Sequence, residues 1–297
     1  MKKLILMLGF IATCSVYAQT GTNKTGSLLW KISGKDLTQP SYLLGTLHFK
    51  SGEYLDSIAG AREALQSCEQ VVVELNMTDM ANLQLQLLQA MAMPSDTTYK
   101  MLYSKKDYKF VNKQLVSLIG VGLEQLGMMK PAALELTLTG IIYAKHFPDA
   151  DPANVLDVRI QTEAENEQKD VVSLETIDDQ IYVLFDVMSL QRQADVLLCE
   201  LKNMNKMAAM TDELINDYNR GNLDKLYLQL NSDICPYLPS EKNSLVKNRN
   251  EAWIKILPEI MKENSSFIAV GALHLAGEEG LLNLLEKAGY KIEPVVL

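Results

Sequence analysis

One short motif, Gly-x-Leu-His, occurs twice in this sequence and constrains the fold more than any other feature. The first copy ends the apolar run 42–48 at His48, and the second ends the run 268–274 at His274. Each copy is followed by a loop, a helix-like stretch and another apolar run, at 71–75 and at 291–297. The pattern predicts a β–loop–α–β unit used at both ends of the chain, with each histidine at the end of a buried strand.

The residues around each histidine strengthen the comparison of the two copies. Gly45 and Gly271 precede the histidines by three positions and permit a sharp turn or a close backbone approach. Glu53 and Glu279 each follow their histidine by five positions. We interpret these two glutamates as groups that orient the imidazoles or act as a general base.

The histidines themselves are candidates for a metal site. The chain contains only three, and two of them lie in the repeated motif. If the two units pack side by side, His48 and His274 come together, and two imidazoles with a carboxylate form a common transition-metal site. Glu74 supplies a carboxylate inside an apolar run, where burial is costly unless the group is paired or bound to metal. A plainer alternative is a scaffold in which both histidines are hydrogen-bonded structural residues.

The net charge and the amino-terminal segment indicate where the protein acts and which partners it does not bind. Residues 1–18 combine Lys2 and Lys3 with a short apolar run and a small-residue cleavage site, which is typical of a signal peptide. Acylation at Cys14 is a weaker alternative. The net charge is −9, and loss of the two lysines makes it −11, which argues against binding nucleic acid or anionic lipid. No other apolar run is long enough to span a membrane, so no transmembrane segment is expected in the mature chain.

The apolar periodicity predicts a mixed α/β fold, with a central mixed sheet and a large helical insertion. Strands are expected at 28–32, 42–45 and 71–75, and again at the carboxyl terminus, with one short strand at 170–174 inside an otherwise helical stretch. We therefore predict a single domain at 19–297 with a helical insertion at about 78–262. This insertion either roofs the site or serves as a passive scaffold. Of the cysteines at 68, 199 and 235, the last two form the favoured disulfide pair.

Several catalytic motifs are absent. The sequence has no Gly-x-Ser-x-Gly, no P-loop, no dinucleotide-binding glycine motif and no His-Glu-x-x-His. The mechanism that remains is a metal-bound water with a carboxylate as base.

The chain resembles the TraB/GumN family, which also contains the Tiki metalloproteases. The resemblance covers essentially the whole mature chain, and its most specific part is the pair of Gly-x-x-His motifs. The stretches that carry it are 29–32, 41–48, 72–76, 156–157, 173–176, 249–250 and 270–277. It implies a fold like that of the erythromycin-esterase and haem-binding-lipoprotein group, built from two repeated halves. It also implies a hydrolase that uses divalent manganese or cobalt, with zinc as a further candidate.

The resemblance also assigns residues. His48, His274 and Glu74 match the metal-binding and catalytic positions of the family. Arg249 and Asn250 match a motif pair that we interpret as an anchor for a substrate carboxylate.

Two further matching positions, Asp157 and Glu175, carry no assigned role. The resulting hypothesis is an exported metal-dependent hydrolase acting on a peptide or small molecule. The alternative is a non-catalytic protein of the same fold that binds a peptide signal or haem.

Overall fold

A six-stranded mixed sheet forms the centre of the protein. The computed structural model describes residues 26–77, 80–147 and 151–296, so the predicted signal peptide lies outside the described residues. The strands are β1 (Leu29–Ser33), β2 (Ser41–Thr46), β3 (Gln70–Val73), β4 (Asp170–Ser173), β5 (Ser266–Gly271) and β6 (Lys291–Pro294). Their spatial order is β4-β3-β5-β2-β1-β6.

The order places the two motif strands next to each other. β2 and β5 are parallel neighbours, with Thr46 opposite Gly271 in the register. β3 lies parallel on the far side of β5, and β4 continues the parallel set beyond β3. Because carboxyl ends of parallel strands lie at one edge of a sheet, the residues that follow these four strands come together. The further prediction of two repeated halves stays a prediction.

The remaining strands complete the sheet in the antiparallel sense. β1 pairs with β2 in a hairpin, with Leu29 opposite Leu44, and β6 pairs with the other side of β1. The connecting turn uses positive φ angles at Gly34 and Lys35. Every residue of β3 and β5 is buried, as expected for strands covered on both faces.

Helices supply most of the rest of the described chain, and the predicted mixed α/β class is confirmed. They are α1 (Ala61–Ser67), α2 (Met80–Ala90), α3 (Tyr99–Leu102), α4 (Lys105–Ile119), α5 (Leu123–Leu126), α6 (Pro131–His146), α7 (Leu156–Asn166), α8 (Ile177–Ile181), α9 (Leu190–Lys202), α10 (Met204–Asn219), α11 (Leu223–Gln229), α12 (Pro239–Lys242), α13 (Asn248–Glu263) and α14 (Leu281–Lys287). None of the described helices is long and apolar enough to cross a membrane.

Two stretches of helix contain π-helical segments. Between α12 and α13 lies one such segment, Asn243–Lys247. Another π-helical segment, Tyr182–Asp186, follows α8, and Ser189 caps the start of α9 through its side chain. Both interruptions lie near the candidate site, where π-helical turns are common.

Two separate hydrophobic cores hold the molecule together. One contains the sheet and the helices packed on it, including the fully buried Leu43, Ile268 and Leu281. The other lies within the helical insertion, between α4, α6 and α9, around Val111 and Leu197. A disulfide between Cys199 and Cys235 links α9 to the segment before α12.

Candidate metal centre

The candidate site lies at the carboxyl edge of the four parallel strands. Glu74 directly follows β3, and His48 stands two residues beyond β2. His274 ends a short 3-10 turn, Ala272–His274, that follows β5. A methyl group placed on Gly271 would lie 3.3 Å from Glu74 Oε1, 3.5 Å from His48 Nε2 and 3.7 Å from His274 Cδ2. The three predicted metal-site residues therefore surround one point, which only a glycine leaves open.

Glu74 is held as a carboxylate by backbone and side-chain donors. The Gly271 N–H donates to Oε1 at 2.6 Å, and Arg249 Nη2 donates to Oε2 at 2.5 Å. Burial alone would raise the pKa of Glu74, but the nearby His274, Arg249 and His48 side chains, together with the amide hydrogen bond, outweigh it and lower the pKa to about 2. Glu74 is consequently ionised at neutral pH and able to bind a cation.

His48 is oriented by a carboxylate from α7. Asp157 Oδ2 lies 3.1 Å from His48 Nδ1, and Thr46 Oγ1 donates a 2.7 Å hydrogen bond to Asp157 Oδ1. This arrangement leaves Nε2 turned toward the point beside Gly271. The Asp157 charge raises the pKa of His48 to about 9 in the metal-free protein. Solvent reaches 60% of the His48 side chain and screens the pair.

His274 is oriented by an amide instead of a carboxylate. Its Nδ1 donates to Asn250 Oδ1 at 2.7 Å, while the Asn250 amide donates to the carbonyl oxygens of His274 and Glu279. Asn250 is completely buried beneath the ring. Burial lowers the pKa of His274 to about 3, so the imidazole is neutral and Nε2 carries a lone pair.

Arg249 connects these groups from α13. Its Nε and Nη2 atoms form a two-point contact with Glu175, at 2.9 and 2.6 Å, and Nη2 also reaches Glu74. Its Nη1 donates to the Leu245 carbonyl oxygen and to His274 Nε2 at 2.9 Å. All five guanidinium N–H groups thus have partners within the protein. Arg249 organises the site in this arrangement, and a substrate carboxylate would have to displace one of these contacts.

A cavity of about 430 Å³ opens above the three residues. Its floor contains His48, Glu74 and His274, and its walls come largely from the helical insertion. Tyr143, Met210, Leu214, Tyr218, Leu226, Leu245 and Val246 are among the wall residues. Phe49, beside His48, stacks on Tyr143 with ring centroids 4.4 Å apart. The cavity is therefore a mainly apolar space with its charged groups concentrated at the sheet edge.

Comparison with known protein families gives a match that contains these site residues. The sequence profile of the TraB/PrgY/gumN family matches residues 28–294. The chain belongs to the TraB/PrgY/gumN family. The match covers every strand of the sheet and both motif histidines.

Curated relatives of this TraB/PrgY/gumN protein are named as metalloproteases. It is 22% identical over 90% of its length to "Metalloprotease TIKI2" of Danio rerio and 22% identical over 91% to "Metalloprotease TIKI1" of Xenopus tropicalis. It is also 21% identical over 91% to "Metalloprotease TIKI homolog" of Nematostella vectensis. The chain spans only 60% and 62% of the length of the first two relatives. No solved structure matches it.

The donor atoms suit a divalent metal in kind, although their present hydrogen bonds do not form a metal shell. No group of three or more histidine, cysteine, aspartate or glutamate side chains within the described ranges is arranged to hold a metal ion. The reason is visible at Arg249, which donates to both His274 Nε2 and Glu74. A metal at this point would replace the Arg249 contact with His274. The contact between Arg249 and Glu175 uses other N–H groups.

The two loop glutamates lie outside this cavity. Glu53 is exposed and contacts Asn154 and Arg159, while Glu279 accepts a 3.2 Å hydrogen bond from the Tyr227 hydroxyl. Neither is among the described residues that line the cavity. Only the backbone of Glu279 supports the site, because its carbonyl oxygen accepts from the Asn250 amide.

Two residues that support the site, Thr46 and Trp253, were not predicted from the sequence. Thr46 fixes Asp157, and Trp253 packs its ring 4.5 Å from the His274 ring and 4.8 Å from the Arg249 guanidinium. Trp253 stands four positions after Arg249, which places both on one helix face. That spacing was the available signal for Trp253.

Proposed function

We propose that this protein is a metal-dependent peptidase in which His48, His274 and Glu74 hold a divalent cation, with manganese or cobalt favoured. The observation that carries the proposal is the convergence of these three side chains around Gly271. The family membership and the names of the relatives support hydrolysis of a peptide bond. The predicted signal peptide supports action outside the cytoplasm.

The chain's own residues prepare the site in specific ways. A bound metal would supply an activated water and a Lewis acid for the carbonyl group. Asp157 and Asn250 hold the imidazoles through their Nδ1 atoms, so that a metal at His274 Nε2 has to replace only the contact with Arg249. Arg249 keeps Glu74 ionised and fixed in place.

The low pKa of Glu74 favours one of its two predicted roles, metal ligand, over the other, general base. A carboxylate with a pKa near 2 is a weak base at neutral pH, so Glu74 suits metal binding better than proton abstraction. A base role for Glu53 or Glu279 requires movement of its loop, because neither lines the cavity.

The apolar walls have a consequence for the substrate. They bind apolar side chains next to the bond to be cleaved and exclude water from the reacting groups. A peptide fits this cavity better than a small polar substrate, since only its floor carries charge.

The test is turnover of a peptide library by protein supplied with Mn²⁺ or Co²⁺, using His48→Ala and His274→Ala as comparisons. We expect activity that depends on the metal and is lost in both variants. Glu213→Gln on the exposed face of α10 is a matched control that should retain activity. Tight binding of peptides or haem without turnover would instead favour the non-catalytic alternative, and turnover unaffected by both histidine substitutions would contradict the proposed site.

A further inference from the structure

A second cavity of about 210 Å³ lies beside the one above the sheet edge. The two cavities share six wall residues, which are Thr139, Tyr143, Met210, Leu214, Gln229 and Tyr237. The two cavities are therefore direct neighbours. The second cavity lies within the helical insertion, between α6, α9 and α10.

Two carboxyl groups face this second cavity from different helices. Glu135 comes from α6 and Glu200 from α9, and both lie deep in the helical layer. The Tyr237 hydroxyl faces the same space. None of the three has a hydrogen-bond or salt-bridge partner among the described residues. All three are half-buried and open to the cavity, so their oxygen atoms are available to hydrogen-bond a ligand that enters it.

The electrostatic surroundings agree with this interpretation. Burial raises the pKa of Glu135 to about 7, and burial together with Glu135 raises the pKa of Glu200 to about 8. The nearby cation Arg192 does not neutralise the pair, because its guanidinium is held by Glu241 at 2.8 and 3.0 Å. The two carboxyl groups consequently resist ionising together until a cation joins them.

The disulfide fixes two of these three groups. Cys199 immediately precedes Glu200, and Cys235 stands two residues before Tyr237. The bond between the two cysteines ties the end of α9 to the segment that carries the tyrosine. The cavity is thus built from covalently linked parts of the fold.

We propose that this cavity is a subsite for an alkylammonium group of the substrate, such as a lysine side chain. An ammonium group has three N–H donors, which allows one hydrogen bond to each of Glu135, Glu200 and Tyr237. The apolar wall residues Met204 and Met207 suit the aliphatic stem. A guanidinium group fits less well, because its planar fork pairs best with a single carboxylate and these acceptors come from three different segments. The subsite extends the proposed peptidase function to substrates with a lysine near the cleaved bond.

Binding of pentylammonium, compared with the neutral probe pentanol, tests the subsite without any turnover. We expect pentylammonium to bind the wild type more tightly than pentanol, measured by calorimetry. Glu135→Gln/Glu200→Gln should weaken pentylammonium binding by at least about tenfold, because hydrogen bonds to charged groups are lost. Glu213→Gln, which removes an exposed charge on α10, should leave it unchanged.

The same measurement provides the outcomes that would overturn the subsite. Equal binding of both probes, or undiminished pentylammonium binding by Glu135→Gln/Glu200→Gln, contradicts it. Glutamine has nearly the same shape as glutamate, and neither side chain has a hydrogen-bond partner to lose, so this double substitution should not lower the unfolding temperature. The single variant Glu200→Gln offers a second check, with an intermediate loss of affinity expected.

A peptide series separates this inference from the proposed peptidase activity. Peptides that differ only by lysine or norleucine at each position near the cleaved bond are compared by kcat/KM. We expect lysine to be preferred at one position in the wild type and not in Glu135→Gln/Glu200→Gln. Pentylammonium binding without turnover of any peptide would overturn the peptidase but retain the subsite. Turnover with no lysine preference and no pentylammonium binding would overturn the subsite alone.

Discussion

At the scale of single residues, the two imidazoles differ in the groups that orient them. Asp157 places a negative charge beside His48, while Asn250 places a neutral amide beside His274. Consequently, His48 binds a proton readily, and His274 stays neutral. Since metal ligation requires neutral imidazole, a metal competes with a proton mainly at His48.

The first prediction concerns Asp157→Asn in the metal-free protein. The Asp157 charge raises the pKa of His48 from 6.5 to at most about 9, since solvent reaches 60% of the side chain and screens the charge. Removing this charge should return the pKa of His48 toward 6.5. The pKa is measured by following the imidazole resonances of His48 with pH, and His48→Gln identifies them. An unchanged pKa in Asp157→Asn would contradict the pairing.

The same pair predicts how stability depends on pH. The folded-state pKa of His48 exceeds the unfolded value, so protonated His48 contributes stability in full below about pH 6.5. That contribution is lost as the pH rises through about 9. The difference in unfolding free energy between the wild type and Asp157→Asn should therefore shrink from pH 6 to pH 10, as measured by urea denaturation without metal. A difference that grows over this range would exclude the assigned sign.

Arg249→Ala is predicted to be strongly destabilising. It would leave Glu74 and Glu175 without their shared cation, although their side chains are only 10% and 5% exposed. Removing one partner from such a buried cluster costs about 3–5 kcal/mol. Urea denaturation of the metal-free protein measures the loss, and the double variant Arg249→Ala/Glu175→Gln should recover part of it. A loss below about 1 kcal/mol would show that the cluster is hydrated and weak.

Sequence identified these residues unequally, for a physical reason. His48, His274 and Glu74 each follow an apolar run, so their approach could be predicted from local pattern. The contacts of Asp157 with His48 and of Arg249 with Glu175 join positions 109 and 74 residues apart. No periodicity encodes such pairs, and the resemblance marked the positions without giving their roles.

At the scale of elements, the two motif glycines have different functions. A methyl group on Gly45 would lie 3.1 Å from the Cα and Cβ atoms of Ala272, which belong to the turn after β5. A methyl group on Gly271 would instead enter the space between Glu74 and the imidazoles. One glycine permits the close approach of the motif turns, and the other keeps the shared point open.

Gly45→Ala and Gly271→Ala should therefore have separable effects. Gly45→Ala should destabilise the fold by about 1–3 kcal/mol through overpacking, as measured by urea denaturation. Gly271 has φ −52° and ψ 135°, which alanine adopts readily, so Gly271→Ala should change stability by less than about 1 kcal/mol. It should nevertheless weaken Mn²⁺ binding at least about tenfold, as measured by calorimetry. Unchanged Mn²⁺ binding in Gly271→Ala would place the metal elsewhere.

Local pattern predicted the presence of elements better than their arrangement. The strands predicted at 28–32, 42–45, 71–75 and 170–174 follow from local apolar pattern, and the structure contains β1 to β4 at these places. The insertion of β5 between β2 and β3 depends on contacts between opposite ends of the chain. The two π-helical segments also escaped prediction, because their sequences are as helical as those of their neighbours.

At the scale of the whole molecule, helices α3 to α6 and α9 share a hydrophobic core distinct from that of the sheet. α9 contributes Ala194, Leu197 and Leu201 to this helical core, and the disulfide joins this helix to the segment before α12. Linking cysteines 36 positions apart restricts the unfolded chain, which typically stabilises a protein by about 2–4 kcal/mol. The bond should therefore stabilise the helical core more than the sheet.

Cys199→Ala/Cys235→Ala tests this division. We expect the unfolding free energy to fall by about 2–4 kcal/mol. Hydrogen exchange should accelerate in α9 and in the segment 235–239, while the amides of β2, β3 and β5 keep their protection. Because Glu200 and Tyr237 flank the bonded cysteines, pentylammonium binding should weaken as well. If hydrogen exchange accelerated equally in the strands of the sheet, the two cores would unfold as one cooperative unit. The disulfide would then stabilise the whole molecule and not the cation subsite in particular.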